Sequence, residues 1–320
     1  MREAHQPERG LGKPVKRTIS SAEVPPRTSA KNIAPALVIG LLAGVLGLAP
    51  WLITGARLPL QNLWGSDAPS QQIPLVLLPL SQYQLTNLVA LLTVGGAVAG
   101  LAVRIWYPAR RRLVTWCAAA GVLAVHIAAT IQAFVVVNAG LVPGSRSSLY
   151  LAGLLAGVLG ATAASLIALL LIASRSRSLA ALGVALIAVP FGYWSAEWLA
   201  NLAGVPYASP AMPVIVQLLP AALVGVTLAW YGLRPARHAL VWLASLAVLW
   251  VVPAVFRSVN SALGTRSILG NLQEMAVMGH QVLSNALGPD GGAGVGVLLA
   301  LAIALAAMVA RRASVRRRAR

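Results

Sequence analysis

Eight apolar stretches decide what this chain can become. They lie at about 34–54, 86–105, 113–138, 150–172, 179–199, 212–231, 239–256 and 293–310. Each is near the ~20 residues that an α-helix needs to cross the hydrocarbon of a bilayer. Lipid offers the backbone no hydrogen-bond partners, so a crossing stretch of this kind must be helical. The expected fold is an all-α integral membrane protein with eight transmembrane helices. Charged residues make up 10% of the chain, against about 25% in a soluble domain.

The formal charge of +18 resembles a nucleic-acid signal until the charges are placed. Of the 25 basic residues, 21 fall in the N-terminal tail, at the C-terminus, or between stretches 2 and 3, 4 and 5, and 6 and 7. Only Arg57, Arg146, Arg257 and Arg266 occupy the alternate loops. This is the positive-inside bias, so both termini are expected in the cytoplasm and no nucleic-acid partner is expected. The basic tails are expected to meet anionic lipid headgroups. Three lysines against 22 arginines, with much alanine and glycine, point to a GC-rich bacterial genome and so to a bacterial plasma membrane. The single cysteine, Cys117, makes neither an intramolecular disulfide nor a thiolate metal cluster, and is expected in the core.

Residues 1–33 are polar and rich in charge, proline and serine, and read as a disordered cytoplasmic tail. Residues 311–320 read as a second basic tail. The first apolar stretch is too long for the core of a signal peptide and ends in no small-residue cleavage site, so it is expected to remain as an anchor. Gly40 and Gly44, and Gly96 and Gly100, are spaced to let helix backbones approach closely. Residues 55–85 carry too much proline for a regular helix but are too apolar for a free loop, so they should lie in the interface or fold back partway. Within 257–292, Leu272, Met275, Gly279 and Leu283 recur at helical spacing beside polar Glu274, Gln281 and Asn285. That pattern predicts an amphipathic helix on the outer surface. Gly288-Pro289-Asp290-Gly291-Gly292 should end it. Both outer segments are expected contact points for a membrane-protein partner.

The chain also looks duplicated. Trp106-Tyr107-Pro108-Ala109-Arg110 is echoed by Trp230-Tyr231 with Pro235-Ala236-Arg237. In the same order run Ala49-Pro50-Trp51 and Val189-Pro190-Phe191, then Asn62-Leu63-Trp64-Gly65 and Asn201-Leu202-Ala203-Gly204. A proline follows each of those glycines by nine residues, at Pro74 and Pro213. Gly153, Gly157, Ala161 and Ser165 match Gly292, Gly296, Ala300 and Ala304 as stripes for tight packing. The expectation is a tandem 4+4 duplication, 34–173 and 174–310. An even number of helices per half gives parallel topology and an axis along the membrane normal.

Chemistry is sparse. None of the seven acidic residues is expected at mid-membrane, which counts against an ion- or proton-coupled pump. His126 alone is ionisable near the middle of a stretch, with Thr130 one turn on and Gln132 to the side. Two readings stand for it: a polar substrate or proton site, or a neutral imidazole bonded to a neighbouring helix. Asn62, Asn138, Asn201 and Asn260 fall near outer helix ends, where they either line a polar vestibule or cap the helices. These seven residues are the candidate substrate-binding set. Trp194 and Trp198 read as an interfacial aromatic belt. No nucleophile elbow, Walker A motif, HExxH or carboxylate pair occurs, so no catalytic residue, metal or cofactor is expected. Three functions remain: a permease-like protein moving a small or lipidic solute between the halves, a non-transporting accessory or scaffold protein of the envelope, and an intramembrane lipid-modifying enzyme.

Overall fold

The computed structural model describes residues 28–58, 73–106, 108–202, 204, 209–236, 238–265, 270–288 and 291–318. Its helices are α1 (Thr28–Ile53), α2 (Leu85–Trp106), α3 (Arg111–Gly140), α4 (Ser145–Ala173), α5 (Arg177–Leu202), α6 (Ala211–Tyr231), α7 (His238–Gly264), α8 (Leu272–Leu287) and α9 (Ala293–Arg318). A single 3-10 turn, Gln82–Gln84, precedes α2. All but α8 are long and apolar enough to span a membrane, so the eight expected spans are present. Among the described residues, pairing of the β type is limited to one isolated bridge, Arg57 with Leu75. Large apolar side chains such as Leu42, Ile131, Leu159, Leu243 and Leu298 point outward, as a helix bundle solvated by lipid requires.

Several boundaries differ from expectation. The helix expected to end at 256 continues as α7 through Arg257 to Gly264, because its extra turns have α8 to pack on. Helix α9 runs on to Arg318 through much of the expected basic tail, and α1 begins at Thr28 inside the expected N-terminal tail.

The spanning helices form two bundles. In the first, α1 packs on α2 and α3, α2 on α3 and α4, and α3 on α4. In the second, α5 packs on α6 and α7, α6 on α7 and α9, and α7 on α9. Glycine sets the closest seams. A Cβ at Gly40 would overlap the Ala118 carbonyl oxygen of α3, and one at Gly100 would stand 2.7 Å from the Leu169 oxygen of α4. Without a hydrophobic force between helices in lipid, such close backbone contact is a main source of cohesion. The matched small-residue stripes behave less uniformly than expected. Ala161, Ser165, Ala300 and Ala304 are buried, whereas Gly153 and Gly296 meet open space.

The bundles join chiefly through α5, which lies against α2 and α4 and touches α1, with a smaller contact of α7 on the start of α2. Neither α6 nor α9 packs comparably on α1. The join is therefore one-sided and does not follow the twofold expected along the membrane normal.

We call the end carrying Arg104, Arg111, Arg177 and Arg234 the basic end and the other the far end. At the far end, residues 73–81 fold back onto α1, as expected for part of segment 55–85; residues 59–72 lie outside the described residues. The Val76 N–H donates to the Ala56 oxygen at 2.6 Å, and Trp51 Nε1 donates to the Val76 oxygen at 2.8 Å. Val76, Leu78 and Leu80 are fully buried. Helix α8 is the expected amphipathic helix, with one adjustment: it does not stand alone on the surface but runs antiparallel to the far end of α7. Ser258 Oγ donates to the Gly279 oxygen at 2.7 Å, and Trp250 Nε1 to the Leu287 oxygen at 3.2 Å. Asn271 caps α8, accepting from the Glu274 N–H at 3.3 Å.

Candidate functional site

His126 sits on the buried stripe of α3 that also carries Val122, Ala129 and Ala133. It is 1% exposed. Val122 belongs to an apolar cluster with Ala43, Ala99 and Leu169, while Ala129 belongs to another with Leu91, Leu92 and Ala161. His126 lies at the join of the two. Ser165 on α4, between Ala161 and Leu169, lies at the same join and is fully buried. Its hydroxyl is turned to α2, where a Cβ at Gly96 would collide with it.

Among the described residues, neither imidazole nitrogen of His126 and not the Ser165 Oγ has a hydrogen-bond partner. The expectation of a histidine bonded to a neighbouring helix is therefore not met. A buried polar group without a partner costs of order 1–3 kcal/mol, so these two side chains weaken an otherwise apolar core. Thr130 does not help: its Oγ1 donates at 2.6 Å to the His126 carbonyl within the same helix.

The other candidates go to separate places. Gln132 clamps the folded-back segment, donating from Nε2 to the Leu75 oxygen at 2.8 Å and accepting at Oε1 from the Leu77 N–H at 2.9 Å. Asn201 donates to the Glu197 carbonyl one turn earlier at 2.8 Å. Asn260 on α7 donates to Thr86 Oγ1 at the start of α2, linking the bundles. Asn138 is exposed, and Asn62 lies outside the described residues. The structure thus brings His126 and Thr130 together by their shared helix and gives Gln132, Asn201 and Asn260 distinct tying roles.

Contacts cross the join between bundles at several levels. At the far end stands the Asn260–Thr86 hydrogen bond. Beside it Gly264 faces the Tyr83 ring, where a methyl group on that glycine would stand in ordinary van der Waals contact, 3.8 Å from the ring edge. Trp194 of α5, stacked on Phe191 with centroids 5.8 Å apart, donates from Nε1 to the Gly47 oxygen of α1 at 2.9 Å. Deeper, Ala97, Ala168, Ile172 and Ile187 form a cluster with Val184, Phe191 and Leu223. At the basic end the Arg104 guanidinium of α2 lies over the Trp230 ring of α6.

Sequence reasoning missed Ser165 and Arg104 as site residues. Ser165 was legible only as a small residue in a packing stripe, and Arg104 only as one of many topology-setting charges. The fold and these contacts define a multi-pass, all-helical protein of membrane type with two packed bundles. Compared with protein-family models, curated proteins and solved structures, the chain matches none of them.

Proposed function

We propose that this protein is a non-transporting scaffold of a bacterial plasma membrane that presents its far end to a membrane-protein partner. The observation that carries the proposal is the apolar cluster packed at the join between bundles. A permease working between its halves needs a polar passage there, and Ala97, Ile172, Ile187 and Phe191 occupy that place instead. The docking face narrows to α8. Segment 73–81 buries Val76, Leu78 and Leu80, whereas Leu272 and Val277 of α8 are exposed and shallow grooves flank Val277 and Gln281. The positive-inside bias puts the basic end and both termini in the cytoplasm on this reading.

The matching helix pairings of the two bundles support a tandem duplication, each pair among α1–α4 having its counterpart among α5, α6, α7 and α9. The one-sided join fits two copies set side by side that have since specialised.

A permease-like function keeps one observation in its favour. His126 and Ser165 are buried without partners, which fits polar groups that meet a solute in a second, opened state. The intramembrane enzyme reading would use the same two groups.

Cysteine accessibility at position 126 separates these readings. Cys117→Ala removes the native thiol, His126→Cys supplies the probe, and an impermeant maleimide is applied to each side of oriented vesicles. The scaffold reading expects labelling from neither side. Labelling from both sides would replace it with the permease, and labelling from one side would favour a vestibule serving an enzyme.

A further inference from the structure

We propose that α8 pairs with α8 of a second copy of this chain, through an outward stripe of Gln273, Val277, His280, Gln281, Ser284 and Asn285. The inference rests on the reading that the far end receives a membrane-protein partner, and it names that partner.

The first support is depth. Ser258 Oγ donates to the Gly279 oxygen and Trp250 Nε1 to the Leu287 oxygen. Both bonds fix the same antiparallel register, in which Gln281 is level with Phe256 and Asn285 with Val252. Asn285 therefore lies about 6 Å below Phe256, at 1.5 Å per residue. Val251 and Val255, at the same levels of α7, are exposed in the manner of lipid-facing residues. The chain also turns into α9 without leaving the spanning layer. Gln217 of α6 lies within the span Met212–Tyr231, and its Nε2 donates to the Gly292 oxygen at 3.3 Å. Side chains of α7 hold two more carbonyls of this turn: Trp250 that of Leu287, and Arg257 that of Gly291 at 2.6 Å. Backbone that leaves the helix at membrane depth persists only with such partners.

The second support is the chemistry of the outward face. Gln273, Val277, His280, Gln281 and Ser284 recur at the spacing of one helix face, with Asn285 at its flank, and all six are exposed. Four of the polar ones line a shallow groove with Ala276 and Val277. Ser284 Oγ is answered inside the helix, donating to the His280 oxygen at 2.8 Å. The amides of Gln281 and Asn285 instead face a layer where lipid offers no hydrogen bonds. Polar side chains on a neighbouring helix satisfy such groups.

The stripe is self-complementary, which selects a second copy. A twofold axis along the membrane normal keeps both copies in one orientation and sets the two α8 helices parallel, so each residue meets its own counterpart. A charged stripe would repel itself in that geometry. Amides and hydroxyls carry both donor and acceptor, so each pairs with its like. Val277 against Val277 supplies an apolar centre, and Ala276 beside it lets the backbones approach. Glu274, the carboxylate of α8, stands in its first and outermost turn, where water and salt screen it from its counterpart.

The test uses the full chain carrying Cys117→Ala, in native membranes. Gln281→Cys is oxidised and compared with Leu159→Cys, an exposed position on α4. A disulfide-linked dimer is expected at least about tenfold faster at position 281, because facing thiols meet at high effective concentration. Gln281→Leu combined with Asn285→Leu, both at exposed positions, should weaken association of labelled copies in diluted lipid vesicles about tenfold. A photo-crosslinking side chain at position 281 then identifies what lies against the stripe. Equal cross-linking at positions 281 and 159, or unchanged association in the double variant, would overturn the proposal. A photo-adduct with a different protein would also overturn it while leaving the far-end reading in place, whereas adducts with lipid alone would overturn both.

Discussion

The Trp194 Nε1 on α5 reaches the Gly47 oxygen on α1 at 2.9 Å, a bond between residues 147 apart in the chain. Gly47 is also a point of close approach of α1 to α2: a Cβ there would stand 2.5 Å from the Leu91 oxygen and 2.7 Å from the Gly95 nitrogen. One glycine thus lets three helices meet, and one indole fastens the second bundle to that point. Trp194→Phe keeps a ring to stack on Phe191 but removes the donor. Its expected cost is about 1 kcal/mol, read as a lower thermal midpoint in detergent. An unchanged midpoint would show that the bond contributes nothing to the join.

Gly40 and Gly153 make a matched pair of substitutions. A methyl at Gly40 overlaps the Ala118 carbonyl, a backbone atom that cannot turn aside, whereas a methyl at Gly153 meets nothing within 4 Å. Gly40→Ala should cost about 1–3 kcal/mol through overpacking. Gly153→Ala should be neutral or stabilising by up to about 1 kcal/mol, since alanine loses less backbone entropy in a helix. Unfolding of both variants under one condition checks the contrast.

Gln132→Ala removes both bonds that hold residues 75–77 to α3. The segment keeps its Trp51 and Ala56 bonds, so it should loosen without leaving. Amide hydrogen exchange at Leu77 is expected to rise at least about tenfold, matching a loss of about 1.4 kcal/mol from local opening. Exchange in α5 and α6 should stay as it was.

His126→Leu exchanges a buried imidazole lacking partners for an apolar side chain among apolar neighbours. The expected result is a protein at least as stable as the original, by up to about 2 kcal/mol. A marked loss of stability would mean that His126 has an occupant or a partner, and would favour the permease or enzyme reading.

Much of the architecture was legible because lipid leaves the backbone so few options. Stretch length and hydropathy sufficed for eight spanning helices, and the 272/275/279/283 spacing sufficed for α8. Gly40, Gly44, Gly96 and Gly100 announced close seams but not their partners. The candidate site was less legible. His126 was visible as a lone polar residue, yet its lack of partners depends on what α1, α2 and α4 turn toward it. Gln132, Asn201 and Asn260 looked alike in kind, and only their neighbours assigned them to a clamp, a helix end and a cross-bundle tie.

The chain's own pattern therefore determined the class: helical, multi-pass, with arginine gathered at one end. Those properties follow from solvation, which acts on each segment separately. Tertiary structure decided what lies between the segments: α5 seated against α2 and α4, Trp194 on Gly47, three arginines drawn around Ser174 and Trp230, and an apolar cluster packed at the join. These depend on which faces of distant helices meet. Apolar helix faces are nearly interchangeable to lipid, so hydropathy alone cannot choose among them, and the choice rests on close packing and a few long-range hydrogen bonds.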